Sequence, residues 1–311
     1  MASYVFGIDV GGTTVKLGLF DAEGTVLEKW EIPTITTNHG EQILPDIAKS
    51  VLAKAEEKSI AKEDVIGVGI GVPGPVDDEG VIYKAANLGW DEFNIADKLA
   101  ELTGFTVKAG NDANVAALGE MWKGGGCGYK DMVAVTLGTG VGGGIICNGR
   151  VLMGATGAGG EIGHMHIVDD ETETCGCGNT GCLEQYASAT GIVRLANRKL
   201  QASDKDSVLR TGEVSAKTVF DAVKANDALA IEIAEEFGDY LGEGLANIAA
   251  VVNPEIFVIG GGVSKAGDVL LDYIEKNFQK YAFRGCKGAK FALATLGNDA
   301  GIYGAAKLVI E

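Results

Sequence analysis

Two stretches of this chain share one pattern: an apolar run, a glycine-rich turn and a second apolar run. The first stretch passes from Tyr4–Val10 through Gly-Gly-Thr-Thr to a segment that begins at Val15 and alternates apolar with other residues. The second passes from Met132–Leu137 through glycine-rich residues 138–144 to Ile145–Cys147. Short apolar runs and alternation at a period of two both predict strands, so each stretch predicts two strands joined by a turn.

Helical periodicity follows each of these strand pairs. We predict helices over 41–58, Ile95–Leu102, from Asp112 to about Trp122, across most of 184–252, near 267–281 and near 300–309. Further strands are predicted over Thr25–Ile32, Val65–Val72, Thr106–Ala109, Ile256–Ile259 and near 290–296. Strands and helices that alternate in two similar halves indicate two related α/β domains with a cleft between them. No linker-like segment separates the halves, so we place a hinge near 110–113, where a predicted strand ends.

The charge balance and the cysteine spacing limit what the protein can bind and where it works. Lysine and arginine number 26 against 43 aspartate and glutamate, which gives a net charge of −17. Such an anion is repelled by nucleic acid and by anionic lipid, and no apolar stretch reaches the length of a membrane span. The first residues lack the basic segment of a secretion signal, and three of the six cysteines cluster within 175–182. We therefore expect a cytoplasmic protein that binds neither nucleic acid nor membrane, and whose clustered cysteines hold a metal ion.

The first glycine-rich turn has the composition of a phosphate-binding turn. Backbone N–H groups around paired glycines can point into one concavity, and threonine hydroxyls add hydrogen-bond donors. The candidate nucleotide-binding residues here are Asp9, Gly11, Gly12, Thr13, Thr14 and Lys16. A carboxylate such as that of Asp9 suits Mg²⁺, through an intervening water. The alternative is an ordinary hairpin turn, and the spacing of a P-loop is absent.

The second glycine-rich turn and a later glycine run add two more candidate contacts with a nucleotide. Gly138, Thr139 and Gly140 follow an apolar strand, as the first turn does. A nucleoside triphosphate held from both sides of a cleft would explain the pair of turns. Gly261 and Gly262 follow a later strand and suit close approach to a base or a ribose. A plain strand-to-helix turn is the alternative for this glycine run.

The Asn111-Asp112 pair stands where a predicted strand meets a predicted helix. One interpretation is a helix cap, because asparagine and aspartate are favoured at that position. The other makes Asp112 a general base, since a carboxylate at a helix N-terminus stays ionised and can accept a proton from a hydroxyl that attacks phosphorus. Asn111 would then hold a neighbouring hydroxyl.

A segment rich in glycine, cysteine and histidine has the donor set of a zinc site. Cys175, Cys177 and Cys182 are separated by turn-forming residues, and His164 and His166 precede them. Three thiolates and one imidazole are ligands that Zn²⁺ prefers, and four protein ligands would make the site structural, with no position open to water. The spacing alone does not decide between the two histidines. Reduced cysteines without a metal are the alternative.

These motifs together resemble the ROK family of bacterial sugar kinases and sugar-responsive repressors, over nearly the whole chain. The resemblance is carried by Asp9-x-Gly-Gly-Thr13, by Glu161-x-Gly-His164 and by the cysteine motif from Cys175 to Glu184. Segments that begin at Gly71, Asn87, Gly110 and Ala187 are similar to the glucose-phosphorylating members of Gram-positive bacteria. The resemblance implies an actin-like, hexokinase-like fold, in which two ribonuclease H-like α/β domains flank a cleft and one of them carries a zinc-binding loop.

The resemblance also implies a reaction and the residues that perform it. The expected reaction is ATP-dependent phosphorylation of glucose at O6, with Mg²⁺, to give glucose 6-phosphate, and Asp112 would be its catalytic base. The sugar hydroxyls would be held by Asn87, Asn111, Asp112, Glu161, His164 and Glu184. A structural Zn²⁺ would be held by His164, Cys175, Cys177 and Cys182, so the resemblance selects His164 over His166.

The same resemblance implies a domain division and an assembly. The smaller domain would comprise residues 1–112 with about 298–311, the larger one residues 113–297 with the zinc loop, and the protein would form a homodimer or a higher homo-oligomer. One alternative is a ROK kinase for another hexose: N-acetylglucosamine, N-acetylmannosamine, fructose or allose. A repressor of the family would need an added N-terminal helix-turn-helix domain, for which the strand at Tyr4 leaves no room, and the charge of −17 opposes DNA binding. An actin-like filament protein would have no use for the sugar and zinc residues.

Overall fold

The strands and helices of the protein follow the predicted order. The computed structural model describes residues 3–310. Its strands are β1 Tyr4–Val10, β2 Thr14–Asp21, β3 Val26–Pro33, β4 Val65–Val72, β5 Val81–Ile82, β6 Phe93–Asn94, β7 Val107–Asn111, β8 Met132–Leu137, β9 Val141–Cys147, β10 Arg150–Val151, β11 Ile256–Gly260 and β12 Lys290–Leu293. Its α-helices are α1 Ile43–Glu57, α2 Ile95–Thr103, α3 Asp112–Lys123, α4 Glu184–Ala187, α5 Ala189–Ala202, α6 Ala216–Lys224, α7 Ala228–Val252, α8 Asp268–Tyr281 and α9 Ala300–Ile310.

Two five-stranded sheets repeat one topology. The first sheet has the strand order β3-β2-β1-β4-β7, and the second has the order β10-β9-β8-β11-β12. In each sheet, three antiparallel strands are followed by two parallel ones. The hairpins that the sequence predicts, β1–β2 and β8–β9, occupy equivalent positions in the two sheets. The predicted pair of related α/β units is therefore confirmed.

Two helices cross and join the sheets. α3 follows the last strand of the first sheet but packs against β9 of the second, whereas α9 follows the last strand of the second sheet and packs against β1 and β4 of the first. At their crossing, a Cβ atom on Gly119 would collide with the carbonyl oxygen of Ala300, and one on Gly304 would collide with that of Val115. Glycine at both positions lets the two backbones approach closely.

Each sheet has its own apolar core. Side chains of β1, β2 and β4 pack with those of α1 and α2 in the first core, and side chains of β8 and β11 pack with those of α5, α7 and α8 in the second. On α7, Ile233, Phe237, Leu241 and Leu245 recur at a spacing of four and are fully buried. Burial of this apolar face, more than local helix preference, stabilises such a helix.

The second glycine-rich turn is shorter than the sequence predicts. Residues 142–144 belong to β9, so the turn between β8 and β9 is confined to 138–140. A Cβ atom on Gly143 would lie 2.5 Å from Cγ1 of Ile162, and one on Gly144 would collide with Ala117 of α3. These glycines therefore make room for a loop and a helix against the strand, whereas the sequence pattern assigns them to a turn.

A few boundaries also differ from the prediction. β12 ends at Leu293 rather than near 296, and the two-residue strands β5, β6 and β10 are too short for periodicity to predict.

None of the helices within residues 3–310 has both the length and the apolar character needed to cross a membrane. The domain boundaries stay a prediction, and the ends of the predicted ranges, residues 1, 2 and 311, lie outside the described residues.

Candidate active site

A cavity of about 520 Å³, here called the first cavity, lies between the two sheets. The β1–β2 hairpin, the start of α3, strands β8 and β9, and the first turn of α9 all contribute to its lining. Five of the residues that the sequence predicts for the site line it together: Asp9, Lys16, Asn111, Asp112 and Glu161. The structure therefore brings predicted nucleotide-binding and predicted sugar-binding residues to one space.

Asn111 and Asp112 occupy the junction between β7 and α3. Asn111 caps the helix, because its Oδ1 accepts hydrogen bonds from the N–H groups of Ala113 at 3.0 Å and Asn114 at 3.1 Å. Its Nδ2 donates to the carbonyl of Gly74 and to Oδ1 of Asp112, both at 3.1 Å. The N–H of Ala113 also donates to Asp112 Oδ1 at 2.8 Å. The cap interpretation is thus confirmed for Asn111, while no residue between 3 and 310 donates to Oδ2 of Asp112.

The surroundings of Asp112 favour its protonated form. Burial raises the pKa of Asp112 above its ordinary value; the N–H of Ala113 and the amide of Asn111 oppose this, and the negative charges of Asp9 and Glu161 add to it. Burial likewise raises the pKa of Asp9, against the nearby charge of Lys16. A general base is most effective when its pKa lies near the working pH. The environment of Asp112 moves its pKa in that direction.

The first hairpin brings a carboxylate and an ammonium group to the first cavity. Asp9 and Lys16 are partners in the β1–β2 register. Lys16 Nζ donates to the carbonyl of Asn298 at 3.1 Å, which connects the hairpin to the segment before α9. A Cβ atom on Gly301 would lie 2.5 Å from Cγ of Asp9, so glycine in the first turn of α9 lets the carboxylate approach that helix end, where negative charge is favourable.

A second cavity, of about 470 Å³, adjoins the first. Five residues line both cavities: Ala116, Thr136, Gly297, Asn298 and Ala300. The predicted residues Gly261 and Gly262 line the second cavity. Gly261 has a φ of +83°, and a Cβ atom there would collide with the backbone of Leu137; a Cβ atom on Gly262 would meet nothing within 4 Å. No described neighbour requires glycine at position 262, and its backbone faces open space.

The turn of the first hairpin is closed by backbone hydrogen bonds and lies at the surface. The N–H of Gly11 donates to the carbonyl of Thr14 at 3.0 Å, and the hydroxyl of Thr34 donates to the carbonyl of Gly11 at 2.7 Å. A Cβ atom on Gly12 would meet nothing within 4 Å, and the φ of Gly12 is not positive. The residues Gly11, Gly12, Thr13 and Thr14 lie outside the lining of the two cavities. The open space beside Gly12 leaves room for a ligand against the backbone.

The turn of the second hairpin packs against a helix start. The N–H of Ala189 donates to the carbonyl of Gly138 at 2.8 Å, and the hydroxyl of Thr190 donates to the carbonyl of Thr139 at 2.7 Å. A Cβ atom on Gly140 would collide with the carboxylate of Glu184, whereas one on Gly138 would stand in open space. Residues 138–140 line neither cavity. The two predicted phosphate turns therefore have unlike surroundings.

The four predicted zinc ligands form one cluster. The donor atoms of His164, Cys175, Cys177 and Cys182 all lie within 4.8 Å of one another. Sγ of Cys177 and Sγ of Cys182 are 3.6 Å apart, and Nδ1 of His164 is 3.8 Å from Sγ of Cys175. Tetrahedral zinc with sulfur ligands at roughly 2.3 Å places those sulfurs about 3.8 Å from each other, so the spacing and the donor set both fit Zn²⁺.

His166 takes no part in this cluster. Its Nδ1 is 2.9 Å from the carbonyl of Thr180, and its Nε2 is 3.1 Å from Oδ1 of Asp169. The geometry therefore selects His164, as the resemblance does. The loop is tightly turned: the N–H of Cys175 donates to the carbonyl of Asn179 at 2.7 Å, and Gly181 has a φ of +72°.

The remaining predicted sugar ligands lie around the cysteine cluster or apart from it. Nε2 of His164 is 3.9 Å from Oε2 of Glu161, which lines the first cavity. Glu184 accepts a hydrogen bond from the N–H of Val141 at 2.9 Å, and its other oxygen is 3.6 Å from Sγ of Cys175. Asn87 is exposed, between β5 and β6, and lines neither cavity. Among these residues only Glu161 belongs to the lining of the first cavity.

Two residues of the site are not singled out by the sequence patterns. Thr136 is the exposed, polar position in the otherwise buried strand β8, and it lines both cavities. A hydroxyl within an apolar strand that precedes a glycine-rich turn is a signal that would have found it. Asn298 also lines both cavities, but it lies in a turn whose position depends on contacts with distant segments, so no local pattern marks it.

The two sheets with their crossed helices, and the acidic cavity between them, define an actin-like sugar-kinase fold. Comparison with known families agrees, because the model of the ROK family matches residues 5–311. The chain belongs to the ROK family.

Individual proteins are similar over nearly the full length. A glucokinase from Halalkalibacterium halodurans is 48% identical over 310 residues, which are 97% of this chain and 94% of that protein. The crystal structure of a ROK family glucokinase from Streptomyces griseus in complex with glucose and AMPPNP is 36% identical, covers 98% of this chain and 99% of that one, and has a TM-score of 0.74. A ROK hexokinase from Thermus thermophilus is 33% identical, with coverages of 97% and 96% and a TM-score of 0.80. The predicted family resemblance is confirmed.

Proposed function

We propose that this protein is a glucokinase that transfers the γ-phosphoryl group of ATP to O6 of glucose. The observation that carries the proposal is the position of Asp112 in a cavity between the two sheets. One of its carboxylate oxygens is held by the backbone of α3, the other has no partner among the described residues, and its pKa is raised. The similarity to glucokinases over nearly the whole chain supports glucose as the acceptor.

Asp112 would accept the proton of the sugar hydroxyl as that oxygen attacks phosphorus. Its Oδ1 is fixed by Ala113 and Asn111, so the carboxylate keeps one orientation while Oδ2 is available for the substrate. Phosphoryl transfer depends mainly on positioning and charge stabilisation, and a fixed base contributes to the first. Asn111 would exchange its hydrogen bond to Gly74 for one to a sugar hydroxyl.

The nucleotide would lie in the second cavity and extend into the first. Gly261 and Gly262 would contact the base or the ribose, and Thr136, which lines both cavities, marks the passage between them. Lys16 and the turn at Gly12 would contact phosphate oxygens. Asp9 would hold Mg²⁺, whose charge offsets the charge that develops on the transferred group. A phosphate contact by Gly138, Thr139 and Gly140 stays a prediction.

The cysteine loop would support the sugar site. His164 would bind Zn²⁺ through Nδ1 and direct Nε2 towards Glu161 and a sugar hydroxyl. The metal when bound would fix the ring's orientation and tautomer. Glu184 would connect the loop to the start of β9. A sugar contact by Asn87 would require its exposed loop to move towards the first cavity.

An ADP-release assay over several hexoses tests the proposed function. We expect the highest kcat/KM with glucose, and lower values with N-acetylglucosamine, N-acetylmannosamine, fructose and allose. A higher kcat/KM with one of these sugars would make that sugar the acceptor instead of glucose, and the protein would still be a hexose kinase. The absence of sugar-dependent ADP release with all of them would contradict the proposal.

Closure and assembly complete the proposed function. The predicted hinge at 110–113 coincides with the junction of β7 and α3, beside Asp112, and closure there would exclude water from the reacting groups. We further propose that the enzyme works in the cytoplasm as a homodimer or a higher homo-oligomer. The family resemblance supports the assembly, and the metal-site spacing of the cysteines supports the cytoplasm.

A further inference from the structure

A buried carboxylate that the proposed mechanism does not use holds two connecting segments together. Glu120 of α3 is 4% exposed. Its Oε2 accepts hydrogen bonds from the N–H groups of Gly125 at 2.8 Å and Thr295 at 3.1 Å, and its Oε1 accepts one from the N–H of Leu296 at 2.9 Å. A polar group so deeply buried is stabilised by such donors, and removing one of the partners is costly.

These hydrogen bonds act at the point where β12 ends. The last bond that the segment makes to β11 is from the N–H of Ala294 to the carbonyl of Ile259, at 2.9 Å. The next two N–H groups, of Thr295 and Leu296, donate to Glu120 instead. Glu120 therefore directs the chain away from the sheet and into the turn that precedes α9.

The segment that leaves this point forms cavity wall. Thr295, Gly297 and Asn298 line the second cavity, and Glu120 itself lies in that lining. Gly297 and Asn298 also line the first cavity, where the carbonyl of Asn298 accepts from Lys16. A shift of the segment would thus change the second cavity more than the first, which the segment borders at Gly297 and Asn298.

We propose that Glu120 is a positioning residue for the nucleotide: it holds residues 295–298 as a wall of the second cavity. The inference rests on the proposed function, which places the nucleotide there. In this role Glu120 acts on the nucleotide through residues 295–298. Its effect is on nucleotide affinity rather than on the chemical step.

Glu255 provides a control with a similar hydrogen-bond pattern at an exposed position of the second sheet. Its Oε2 also accepts from two consecutive N–H groups, those of Lys130 at 2.8 Å and Asp131 at 3.1 Å. These bonds lie at the beginning of β8 and β11, and Glu255 lines neither cavity. The same substitution at Glu255 removes the same kind of interaction without moving a cavity wall.

The test compares Glu120→Gln with Glu255→Gln and with the parent chain. Calorimetry measures the dissociation constants of ADP and of glucose, steady-state kinetics gives KM and kcat, and thermal unfolding reports stability. For Glu120→Gln we expect ADP to bind about tenfold more weakly, because ordering residues 295–298 would then cost nucleotide binding roughly the free energy of one hydrogen bond. Glucose affinity and kcat should stay within about twofold. Glu255→Gln should keep both affinities while lowering the unfolding temperature.

A conservative variant separates positioning from general destabilisation. Glu120→Asp keeps the charge but withdraws the carboxylate by one methylene, so ADP affinity should lie between those of the parent and Glu120→Gln. If Glu120→Gln does not fold, Glu120→Asp takes its place, and the binding measurements are made at reduced temperature. Unchanged ADP affinity in a folded Glu120 variant would overturn this inference, and so would an equal loss of ADP affinity and glucose affinity. Either result would leave the proposed function standing. A parent chain that binds no ADP would overturn the proposed function as well.

Discussion

The two hairpins have the same place in their sheets and different chemistry. β1–β2 brings Asp9 and Lys16 to the first cavity, and its turn is exposed. β8–β9 brings Thr136 and backbone glycines to the same cavity, and its turn packs against the start of α5. The second hairpin is also followed by the cysteine loop, for which the first half has no equivalent among the described residues. One repeated architecture therefore brings a carboxylate and an ammonium group to the cavity on the first hairpin, and backbone glycines, followed by a cysteine loop, on the second.

The proposed catalytic carboxylate lies where the two halves meet. Asp112 follows the last strand of the first sheet, and its helix α3 packs against the second sheet. α9 makes the reciprocal exchange, and its first turn approaches Asp9. Because both crossed helices start at the first cavity, a movement of one sheet relative to the other would change the distances between the charged groups. The following experiments assign separate tasks to the two halves and to their junction.

The largest effect is expected at the junction. Asp112→Asn removes the proton acceptor while the amide keeps the size of the side chain, so kcat should fall by about 10²–10⁴-fold. The folded state favours the protonated form of Asp112, so its contribution to stability declines as pH rises above the ordinary aspartate pKa. The neutral amide avoids this cost, and the unfolding temperature at pH 7 should not decrease. A variant that phosphorylates glucose within about threefold of the parent rate would contradict the assignment of the base.

The next effect concerns the loop that belongs to the second half alone. Cys177→Ser removes an exposed ligand of the cysteine cluster, and a serine hydroxyl is a poor zinc ligand. We expect less than one zinc per chain by metal analysis and glucose affinity reduced by about 10–100-fold, with ADP affinity retained. Cys127→Ser is the control, because Cys127 is also exposed and lies outside the cluster. Unaltered glucose affinity in zinc-free protein would separate the metal from the sugar site, and equal loss of both ligands would make the loop a support of the whole fold.

A third experiment compares the two glycine turns directly. Gly12→Ala and Gly138→Ala each add a methyl group in open space at an ordinary φ, so the fold should be unaffected. If both turns contact phosphates, each variant should raise KM for ATP by about tenfold. Gly288→Ala is the control, because a Cβ atom there also stands in open space and the residue lines neither cavity. A raised KM for Gly12→Ala alone would restrict phosphate binding to the first hairpin.

The sequence predicts the strands and helices well because a pattern among neighbouring residues marks each of them. Alternation in β1–β2, the apolar run of β8 and the spacing of Leu241 and Leu245 on α7 each follow from nearby residues. The cysteine cluster is also predictable, since clustered cysteines are rare and their spacing is short. The choice of His164 over His166 required the family resemblance, and the geometry agrees with it.

What the sequence does not reveal depends on contacts between distant segments. The sequence pattern assigns Gly143 and Gly144 to a turn. It does not show the residues that pack against them, Ile162 and Ala117, because these are remote in the chain. Asn298 lines both cavities because Glu120 and Lys16 hold its segment, and no periodicity records those contacts. The different surroundings of residues 138–140 and 11–14 are likewise absent from the sequence pattern, since both turns consist of glycine and threonine.

The smallest expected effect tests the electrostatics of the junction through the second half. Burial raises the pKa of Asp112, the negative charges of Asp9 and Glu161 add to this, and Lys16 faces the same cavity. The base must be deprotonated, so kcat at saturating glucose should rise with pH through the pKa of Asp112. This rise is the acid limb of the pH profile. Glu161→Gln removes one negative neighbour and should move this acid limb to lower pH by less than about one unit. Glu173→Gln, an exposed carboxylate outside the first cavity, should leave the limb in place. A limb that stays fixed in Glu161→Gln, or that moves to higher pH, would show that the two halves do not share the electrostatic field at Asp112.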